Sequence, residues 1–304
     1  MPRLLNAAAS DFAAMTKREL IEAIAQSEGR TLVAETVVAA PPAVGGVTNP
    51  ELAGAMGADI LLLNFFDVEN PQVQGLPPHE PQETIRLLKR LTGRPVGINL
   101  EPAEEEVGGT GWGALAPGAQ ATAANAVRAA DMGVDLILVT GNPGHGVTNE
   151  GVLAALRELD AAVGERVVLA AGRMHCSGVL AQASENIMSE TDIQAFAAAG
   201  ADIILLPAPG TVPGITLELA RALVVQIHAA GKLACTAVGT SQEGADEQTI
   251  RSIALMAKQC GTDIHHIGDT GISGLALPQN IMAYSIAIRG IQHTYRRMAL
   301  SPNR

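Results

Sequence analysis

Side chains that can bind a ligand or move a proton recur in this chain where short apolar segments end. Five residues share this position: Glu35, Glu101, His175, His266 and Asp269. A carboxyl group in such a setting either keeps its proton to a higher pH, so that it can act as an acid or a base, or binds a cation. A histidine can exchange protons near neutral pH. We therefore predict that these five residues are catalytic.

Further polar residues at the same kind of position are predicted to orient a substrate: Asn64, Asn99, Thr140, Asn142 and Arg173. A polar group buried without a partner is costly, so its presence at the end of an apolar segment indicates a binding role. A salt bridge between Arg173 and one of the glutamates is the alternative interpretation.

Two loops of glycine and small hydroxyl residues, residues 239–244 and 268–274, are predicted to bind phosphate. Glycine lets a backbone approach a ligand closely, and the peptide N–H groups of such loops attract anions. The residues expected to contact the substrate here are Gly239, Thr240, Ser241, Gln242, Glu243, Gly268 and Gly271. Because Glu243 and Asp269 are acidic, a metal ion or a sugar hydroxyl is the alternative occupant.

The adjacent histidines His265 and His266 cannot both face the interior, because consecutive strand residues point to opposite sides. We expect His266 to face inward and His265 to pack between strand and helix. A zinc or manganese site built from His175, His266, Asp269 and a glutamate is a hypothesis. No compact ligand spacing such as H-E-x-x-H supports it, so a divalent metal stays an alternative and no cofactor is assigned.

The elements that would position these residues repeat along the chain. At residues 57–59, 133–135, 200–202 and 261–263 a Gly-x-Asp triplet follows an Ala-rich amphipathic segment and precedes an apolar run. This pattern is typical of a helix closed by glycine, a tight turn and a buried strand. Further apolar runs begin at Thr31, Pro95, Arg166 and Lys232, which brings the predicted strands to eight.

Helical patterns separate the predicted strands, at residues 49–56, 81–91, 119–132, 149–163, 190–199, 217–230, 246–259 and 279–298. Eight alternating strands and helices predict an α/β fold, a single closed (β/α)8 TIM barrel with its active site at the C-terminal ends of the strands. An open doubly wound sheet is the alternative, but its Gly-x-Gly-x-x-Gly fingerprint does not follow the first strand.

We divide the chain into an N-terminal helical extension (residues 1–28), the barrel (29–290) and a basic C-terminal tail (291–304). Residues 16–27 are expected to form an extra helix that closes the barrel floor. The arginines around the tail are expected to be solvated or to contact another subunit; they are Arg289, Arg296, Arg297 and Arg304. The glycine-bearing connection at residues 102–118, which holds Trp112, is a candidate lid.

The composition disfavours several classes of partner. A formal charge of −11 and an aromatic content of 2% argue against nucleic acid. No apolar run is long enough to cross a membrane, and the first residues lack the apolar region of a secretion signal. Three scattered cysteines fit a reducing compartment, so a cytoplasmic protein is expected. The Ala-rich helices and the arginine-bearing tail indicate a homo-oligomer.

Several longer segments resemble a family of bacterial (β/α)8-barrel proteins loosely labelled phosphonomutase-like or haloacid-dehalogenase-like. They are S-E-G-R-T-L-V-A-E-T, G-R-P-V-G-I-N-L-E-P, T-G-N-P-G-H-G-V-T-N, G-T-S-Q-E-G-A-D, D-I-H-H-I-G-D and I-A-I-R-G-I-Q-H-T-Y-R-R-M-A. The resemblance covers most of the chain and implies a fold, but no mechanism. A more distant resemblance, to ribulose-phosphate-binding barrels, implies a phosphate site at the last strands.

The sequence also departs from true phosphonomutases, which bind magnesium through several aspartates at the strand ends and carry a K-K-C-G-H-type lid. The corresponding segment here reads G-R-M-H-C-S-G, so a phosphonomutase activity is not expected.

These observations lead to one main hypothesis and two alternatives. The main hypothesis is an enzyme that acts on a small phosphorylated, sugar-derived metabolite by general acid/base proton transfer next to a carbonyl, as an isomerase, epimerase or lyase. Because no lysine ends a predicted strand, a Schiff-base mechanism is not expected. The alternatives are a metal-dependent hydrolase or carbon–carbon lyase, and a non-catalytic sensor that binds a metabolite.

Overall fold

A computed structural model describes residues 2–102, 115–141, 147–176, 183–272 and 274–304 of the chain. Eight parallel strands pair in chain order and close into a barrel, as the sequence predicts. The strands are β1 Thr31–Val37, β2 Ile60–Asn64, β3 Val96–Leu100, β4 Leu136–Val139, β5 Val168–Gly172, β6 Ile203–Pro207, β7 Leu233–Val238 and β8 Ile264–Ile267. The predicted fold class is therefore confirmed.

Each strand is followed by an α-helix that covers the outside of the barrel. The helices are α1 Ala9–Ala14, α2 Lys17–Ala25, α3 Asn49–Ala55, α4 Thr84–Thr92, α5 Ala123–Met132, α6 Asn149–Val163, α7 Glu190–Ala198, α8 Leu217–Ala229, α9 Glu247–Cys260 and α10 Pro278–Ala299. Only α1, which precedes the barrel together with α2, has no counterpart among the predicted helices. In the part of the chain that is described, none of the helices is both long and apolar enough to cross a membrane.

Side chains alternate between the inside of the barrel and the layer under the helices. Leu62 of β2 and Leu138 of β4 belong to the inner cluster, whereas Leu63 and Val139 belong to the outer one. The inner cluster ends at α2, where Leu20, Ala23 and Ile24 close the floor of the barrel. Thr16 caps this helix by accepting a hydrogen bond from the backbone N–H of Glu19 at 3.3 Å. The predicted floor helix is thus confirmed.

The Gly-x-Asp repeat has one structural role at four places. Each glycine has a φ between 91° and 107°, and each aspartate directly precedes the next strand. Each aspartate carboxylate accepts a hydrogen bond of 2.8 Å from a backbone N–H of the preceding strand; the pairs are Asp59 with Leu32, Asp135 with Val96, Asp202 with Leu169 and Asp263 with Ala234. The repeat therefore joins β1 to β2, β3 to β4, β5 to β6 and β7 to β8.

The predicted basic tail is largely part of the last helix, and the expectation that its arginines are solvated or contact another subunit is wrong for Arg289 and Arg297, which are buried, whereas Arg296 and Arg304 are exposed. Helix α10 continues to Ala299 across a kink at Gly290. Arg289 donates a hydrogen bond of 2.5 Å to Asp59, and Arg297 Nε lies 2.8 Å from the other oxygen of that carboxylate. Both guanidinium groups are buried. Their pairing with the buried Asp59 carboxylate offsets the free-energy cost of removing the two charges from water.

Candidate active site

A cavity of about 240 Å³ opens at the C-terminal ends of the strands. The residues that line it lie at or just after the strand ends, and the polar ones are Glu35, Asn64, Asn99, Glu101, Thr140, His175, Glu243, Asp269 and Thr270. The others are Val37, Phe65, Gly141, Met174, Gly239 and Gly268. Among the described residues that line the cavity, none is a lysine or an arginine. The cavity therefore presents several carboxyl groups and a histidine to a ligand, and its described wall contains no lysine or arginine.

Most of the predicted site residues come together at this cavity. The predicted residues that line it are Glu35, Glu101, His175, Asp269, Asn64, Asn99, Thr140, Gly239, Glu243 and Gly268. Those that do not line it are His266, Arg173, Thr240, Ser241, Gln242 and Gly271. Asn142 and most of the candidate lid, including Trp112, lie outside the described residues.

Glu35 and His266 face each other inside the barrel, just below the cavity. Glu35 Oε2 lies 3.2 Å from His266 Nε2, although the two groups are not aligned as a hydrogen bond. Neither Glu35 Oε1 nor His266 Nδ1 has a hydrogen-bond partner among the described residues. His266 therefore contacts Glu35, a residue of the cavity wall, but is not part of that wall itself.

His265 packs on the opposite face of β8, as the strand alternation predicts. Its Nε2 bonds to the carbonyl oxygen of Gly29 at 3.0 Å, and its Nδ1 lies 3.1 Å from the hydroxyl of Tyr284 on α10. Because a carbonyl can only accept, the proton is on Nε2 and the Tyr284 hydroxyl donates to Nδ1. Burial lowers the pKa of His265 to about 3, so this histidine is a neutral structural group.

Asp269 is the carboxyl group whose protonation the cavity perturbs most clearly. Asn64 Nδ2 donates a hydrogen bond of 2.8 Å to Asp269 Oδ2, and Asn99 Nδ2 donates one of 3.3 Å to Asn64 Oδ1. Burial raises the pKa of Asp269 to about 8, and the negative charges of Glu35 and Glu243 add to the rise. Asp269 therefore holds its proton at neutral pH and can donate it.

Glu243 accepts hydrogen bonds from one donor of each of the two glycine-rich loops. The backbone N–H of Ser241 donates to its Oε1 at 3.2 Å, and the hydroxyl of Thr270 donates to the same oxygen. Thr240 and Gln242 instead donate to the carbonyl oxygen of Thr211 in the preceding loop. Donors that the sequence assigns to a phosphate are therefore already in use, two of them for the Glu243 carboxylate and two for the Thr211 carbonyl.

Glu101 and His175 complete the wall on the side of β3 to β5. Glu101 lies just after β3, where its backbone pairs with Ala119 and Ala121. A Cβ at Gly141 would lie 3.1 Å from the Glu101 carboxyl carbon, so glycine leaves room for this side chain. Burial, and then the positive charge of Arg173, lowers the pKa of His175. The neutral imidazole is therefore favoured at neutral pH.

Arg173 is not part of the cavity wall, although the sequence places it among the substrate-binding residues. It follows β5 two residues after Ala171, which packs in the outer layer. Burial lowers the pKa of Arg173, while the charges of Cys176, Asp192 and Glu150 oppose that shift. Arg173 Nε and Nη2 are buried and have no hydrogen-bond partner among the described residues.

Five residues of the cavity wall were not predicted: Val37, Phe65, Gly141, Met174 and Thr270. Phe65 directly follows Asn64 and has a φ of 58°, and its N–H donates to Asn64 Oδ1 at 2.9 Å. Thr270 lies within the predicted loop at residues 268–274. Its position next to Asp269 was the available signal.

The described residues do not fit a metal site. No group of three or more histidine, cysteine, aspartate or glutamate side chains converges closely enough to hold an ion in the parts of the chain that are described. We therefore derive no step through a metal ion.

Comparisons with known proteins identify a family and support the fold. Residues 5–304 match the family model described as a domain of unknown function, DUF7916. A search of curated proteins found no match. The carboxyl transferase domain of Rhizobium etli pyruvate carboxylase has a TM-score of 0.52 and 16% identity, over 97% of this chain and 53% of that one. The chain thus spans about half the length of that domain.

Two further solved structures cover more equal lengths. A candidate lyase/mutase from Burkholderia cenocepacia J2315 has a TM-score of 0.50 and 16% identity, over 83% of this chain and 81% of that one. A 2,3-dimethylmalate lyase of the PEP mutase/isocitrate lyase superfamily has a TM-score of 0.50 and 13% identity, over 83% and 80%. These likenesses agree with the phosphonomutase-like resemblance and give no support to the haloacid-dehalogenase label.

Proposed function

The chain belongs to the DUF7916 family, and we propose that it is an enzyme that transfers protons next to a carbonyl group of a small hydroxylated metabolite. One observation carries the proposal: two carboxyl groups in unlike environments meet at one cavity. Asp269 holds its proton to a pKa of about 8, whereas Glu35 lies against His266. Two carboxyl groups in different environments are the arrangement that acid/base chemistry requires.

In this proposal Asp269 is the acid. Its proton is retained at neutral pH, and Asn64 fixes the orientation of the carboxyl group through a bond of 2.8 Å. A protonated carboxyl group can donate to a carbonyl oxygen and stabilise the negative charge that develops there. Asn99 supports the same arrangement by its contact with Asn64.

Glu35 is the base in the proposal, and His266 positions it. Glu35 lines the cavity, while His266 lies behind it. The neighbouring imidazole can take part in proton exchange with the carboxylate after the substrate has lost its proton. Glu101 is the alternative base of the sequence-based hypothesis, and His175 contributes a neutral imidazole that can orient the substrate.

Unpaired polar atoms support a hydroxylated substrate. Asn99 Oδ1, Thr140 Oγ1 and Glu243 Oε2 have no hydrogen-bond partner among the described residues. These buried atoms are mostly acceptors, and hydroxyl groups of a ligand would satisfy them. Because Glu243 already uses two donors of the glycine-rich loops and its negative charge would repel an anion, we favour hydroxyl groups over the predicted phosphate at this position.

The reaction class we favour is a lyase, with isomerase or epimerase as the variants of the same proton transfer. Removing a proton next to a carbonyl gives an enolate, from which a bond can break or a proton can return on either face. Two structures with the same fold are described as lyases or mutases. No lysine lines the described cavity, which agrees with a route that needs no Schiff base.

Hydrogen exchange in heavy water tests the proposal. The protein is incubated in D2O with aldoses, ketoses, hydroxy-oxo acids and their phosphate esters, and proton NMR follows the C–H signals next to the carbonyl. We expect loss of one such signal with the wild-type protein and with Glu165→Gln, an exposed control far from the cavity. Exchange should be at least about 100-fold slower with Glu35→Gln. No exchange in any compound, or an equal rate with Glu35→Gln, would overturn the proposal.

A further inference from the structure

The charges around the cavity restrict what can enter it. Glu35, Glu101, Glu243 and Asp269 line the cavity, and each is almost completely buried. No arginine or lysine lines it among the described residues. Buried carboxylates repel one another strongly because little water screens them, and this repulsion contributes to the raised pKa of Asp269. A ligand with an extra negative charge would increase the repulsion, whereas a cation would relieve it.

Glu243 is the carboxylate best prepared for a cation. Its side chain is 0% exposed, its Oε1 is held by Ser241 and Thr270, and its Oε2 has no hydrogen bond among the described residues. A buried carboxylate oxygen without a partner is costly, so the fold leaves one strong acceptor unsatisfied. This is an observation independent of the acidic character of the cavity as a whole.

The loop that carries Glu243 is held in place from α10. Asn280 Nδ2 donates to the carbonyl oxygen of Glu243 at 2.9 Å and to that of Ala245 at 2.7 Å. The backbone N–H of Leu277 adds a bond of 3.4 Å to the Glu243 carbonyl. A carboxylate with a fixed backbone and one fixed oxygen loses little freedom when it binds a ligand, which favours a specific contact.

We propose that Glu243 selects a substrate that carries a protonated amine, so that the metabolite is an amino sugar or a similar hydroxylated amine with a carbonyl group. The amine lies on the side of β7 and β8, where Glu243 and Asp269 are neighbours. The hydroxyl groups lie on the opposite side, where Asn99 and Thr140 follow β3 and β4. This substrate class rests on the proposed function, since it specifies which molecule reacts at the same cavity.

The proposal separates three ligands by charge. An ammonium group donates up to three hydrogen bonds and pairs with Glu243, a hydroxyl group donates one without a charge, and a phosphate ester brings negative charge toward several carboxylates. We therefore expect affinity to fall in the order amine, neutral sugar, phosphate ester. A divalent cation is the other positively charged occupant, and the described residues do not converge on one.

Calorimetric titration at pH 7 tests this order with matched probes: glucosamine, galactosamine, glucose, galactose, glucose 6-phosphate, and magnesium or manganese chloride alone. We expect each amino sugar to bind at least about thirtyfold more tightly than its hydroxyl counterpart, as for a desolvated charge pair. Glu243→Gln keeps the shape of the side chain and should remove this preference, leaving the affinity of the neutral sugars within about threefold.

Three results would overturn the proposal: amino and neutral sugars that bind equally to the wild-type protein, a preference that survives in Glu243→Gln, or metal binding that Glu243→Gln abolishes. The comparison within the wild-type protein decides the question even if Glu243→Gln does not fold. Thr270→Val, which removes one anchor of Glu243 without changing charge, should weaken amine binding more than the binding of the neutral sugars. Calorimetric titration needs no turnover. The preference for amines can therefore be absent while hydrogen exchange occurs, and hydrogen exchange can be absent while the preference is observed, so the two proposals fail separately.

Discussion

Glu35 Oε2 and His266 Nε2 lie 3.2 Å apart inside the barrel, and their side chains are 3% and 1% exposed. The two residues are brought together because β1 and β8 are neighbours that close the barrel, with Val33 in register with His266. Neither nitrogen of the imidazole makes an aligned hydrogen bond within the described structure. The contact is therefore close enough for proton exchange but incomplete, which is what a site that must still accept a substrate requires.

The first prediction concerns Glu35 as the base. Glu35→Gln keeps the size of the side chain and removes its ability to take a proton, so kcat/KM should fall by about 100-fold or more. Ligand affinity should stay within about tenfold, since the amide can still accept hydrogen bonds. Steady-state kinetics and titration of the same ligand measure the two effects. Unchanged turnover would remove Glu35 from the mechanism and leave Glu101 as the candidate.

The second prediction concerns the pH dependence of Asp269. Its folded pKa is about 8, raised first by burial and then by Glu35 and Glu243. As an acid, Asp269 is active below that value, so kcat/KM should fall about tenfold per pH unit above it. Asp269→Asn should be slower at every pH and should lose this break near pH 8. A break that persists in Asp269→Asn would assign it to another group, while Glu165→Gln should keep the wild-type profile.

The same shift has a consequence for stability, with the sign set by the raised pKa. The folded chain holds the Asp269 proton between the unfolded value of 3.8 and the folded value of about 8. The stabilisation is complete below pH 3.8 and is lost as the pH rises through 8. The carboxyl group is thus kept for its chemistry at some cost in stability, as is common at catalytic sites.

The fold was predictable because its signal is repeated. The Gly-x-Asp triplet marks the same turn before β2, β4, β6 and β8, so each occurrence supports the others. Boundaries were less predictable where capping overrides periodicity. Helix α5 begins at Ala123 and not at residue 119, because Thr122 caps it and residues Pro117–Ala119 form a separate 3-10 turn. Helix α1 is six residues long, too short for a periodic signal.

The sequence could predict the residues of the cavity that lie at the ends of strands, but not contacts between different loops. Polar residues at the ends of apolar strands, such as Asn64 and Thr140, do line the cavity. Arg173 does not, because it follows the outward-facing set that includes Leu169 and Ala171. Strand alternation could have shown this. The role of Thr240 depends on the carbonyl oxygen of Thr211, a partner in another loop that no local pattern reveals.

The third prediction concerns His265 and acid stability. Its folded pKa of about 3 lies below the ordinary value of 6.5, so the unfolded chain takes up the proton first as the pH falls. The stabilisation is complete above pH 6.5 and is lost toward pH 3, at about 1.4 kcal/mol per pH unit. His265→Gln cannot titrate, but its amide can still bond to Gly29 and Tyr284. Between pH 7 and pH 5 the free energy of unfolding of His265→Gln should therefore fall by about 2 kcal/mol less than that of the wild-type protein.

Urea-induced unfolding at the two pH values measures this difference. His79→Gln is the control, because His79 binds Thr84 and a loop carbonyl outside the barrel interior. Equal losses in the wild-type protein and His265→Gln would mean that the buried imidazole does not govern acid unfolding.

The last prediction compares two aspartates of the Gly-x-Asp repeat. The comparison separates the hydrogen bond that each makes to a strand from the pairing that each makes with another side chain. Asp59 and Asp263 cap β1 and β7 with the same bond of 2.8 Å, but their side-chain partners differ. Asp59 pairs with the buried Arg289 and Arg297, whereas Asp263 pairs with His228, whose side chain is 44% exposed. At either position an asparagine can still accept the hydrogen bond from the backbone N–H. The two substitutions therefore differ chiefly in the side chains that lose their carboxylate partner.

Asp59→Asn should therefore lower the free energy of unfolding by about 3–5 kcal/mol, because it leaves two guanidinium groups buried without an anion. Asp263→Asn should lower it by about 1 kcal/mol, because water can solvate His228. Urea unfolding at pH 7 measures both, with the slope of each transition checked to show that the unfolded states are comparable. Equal losses would show that the strand cap, and not the pairing with α10, is what Asp59 contributes.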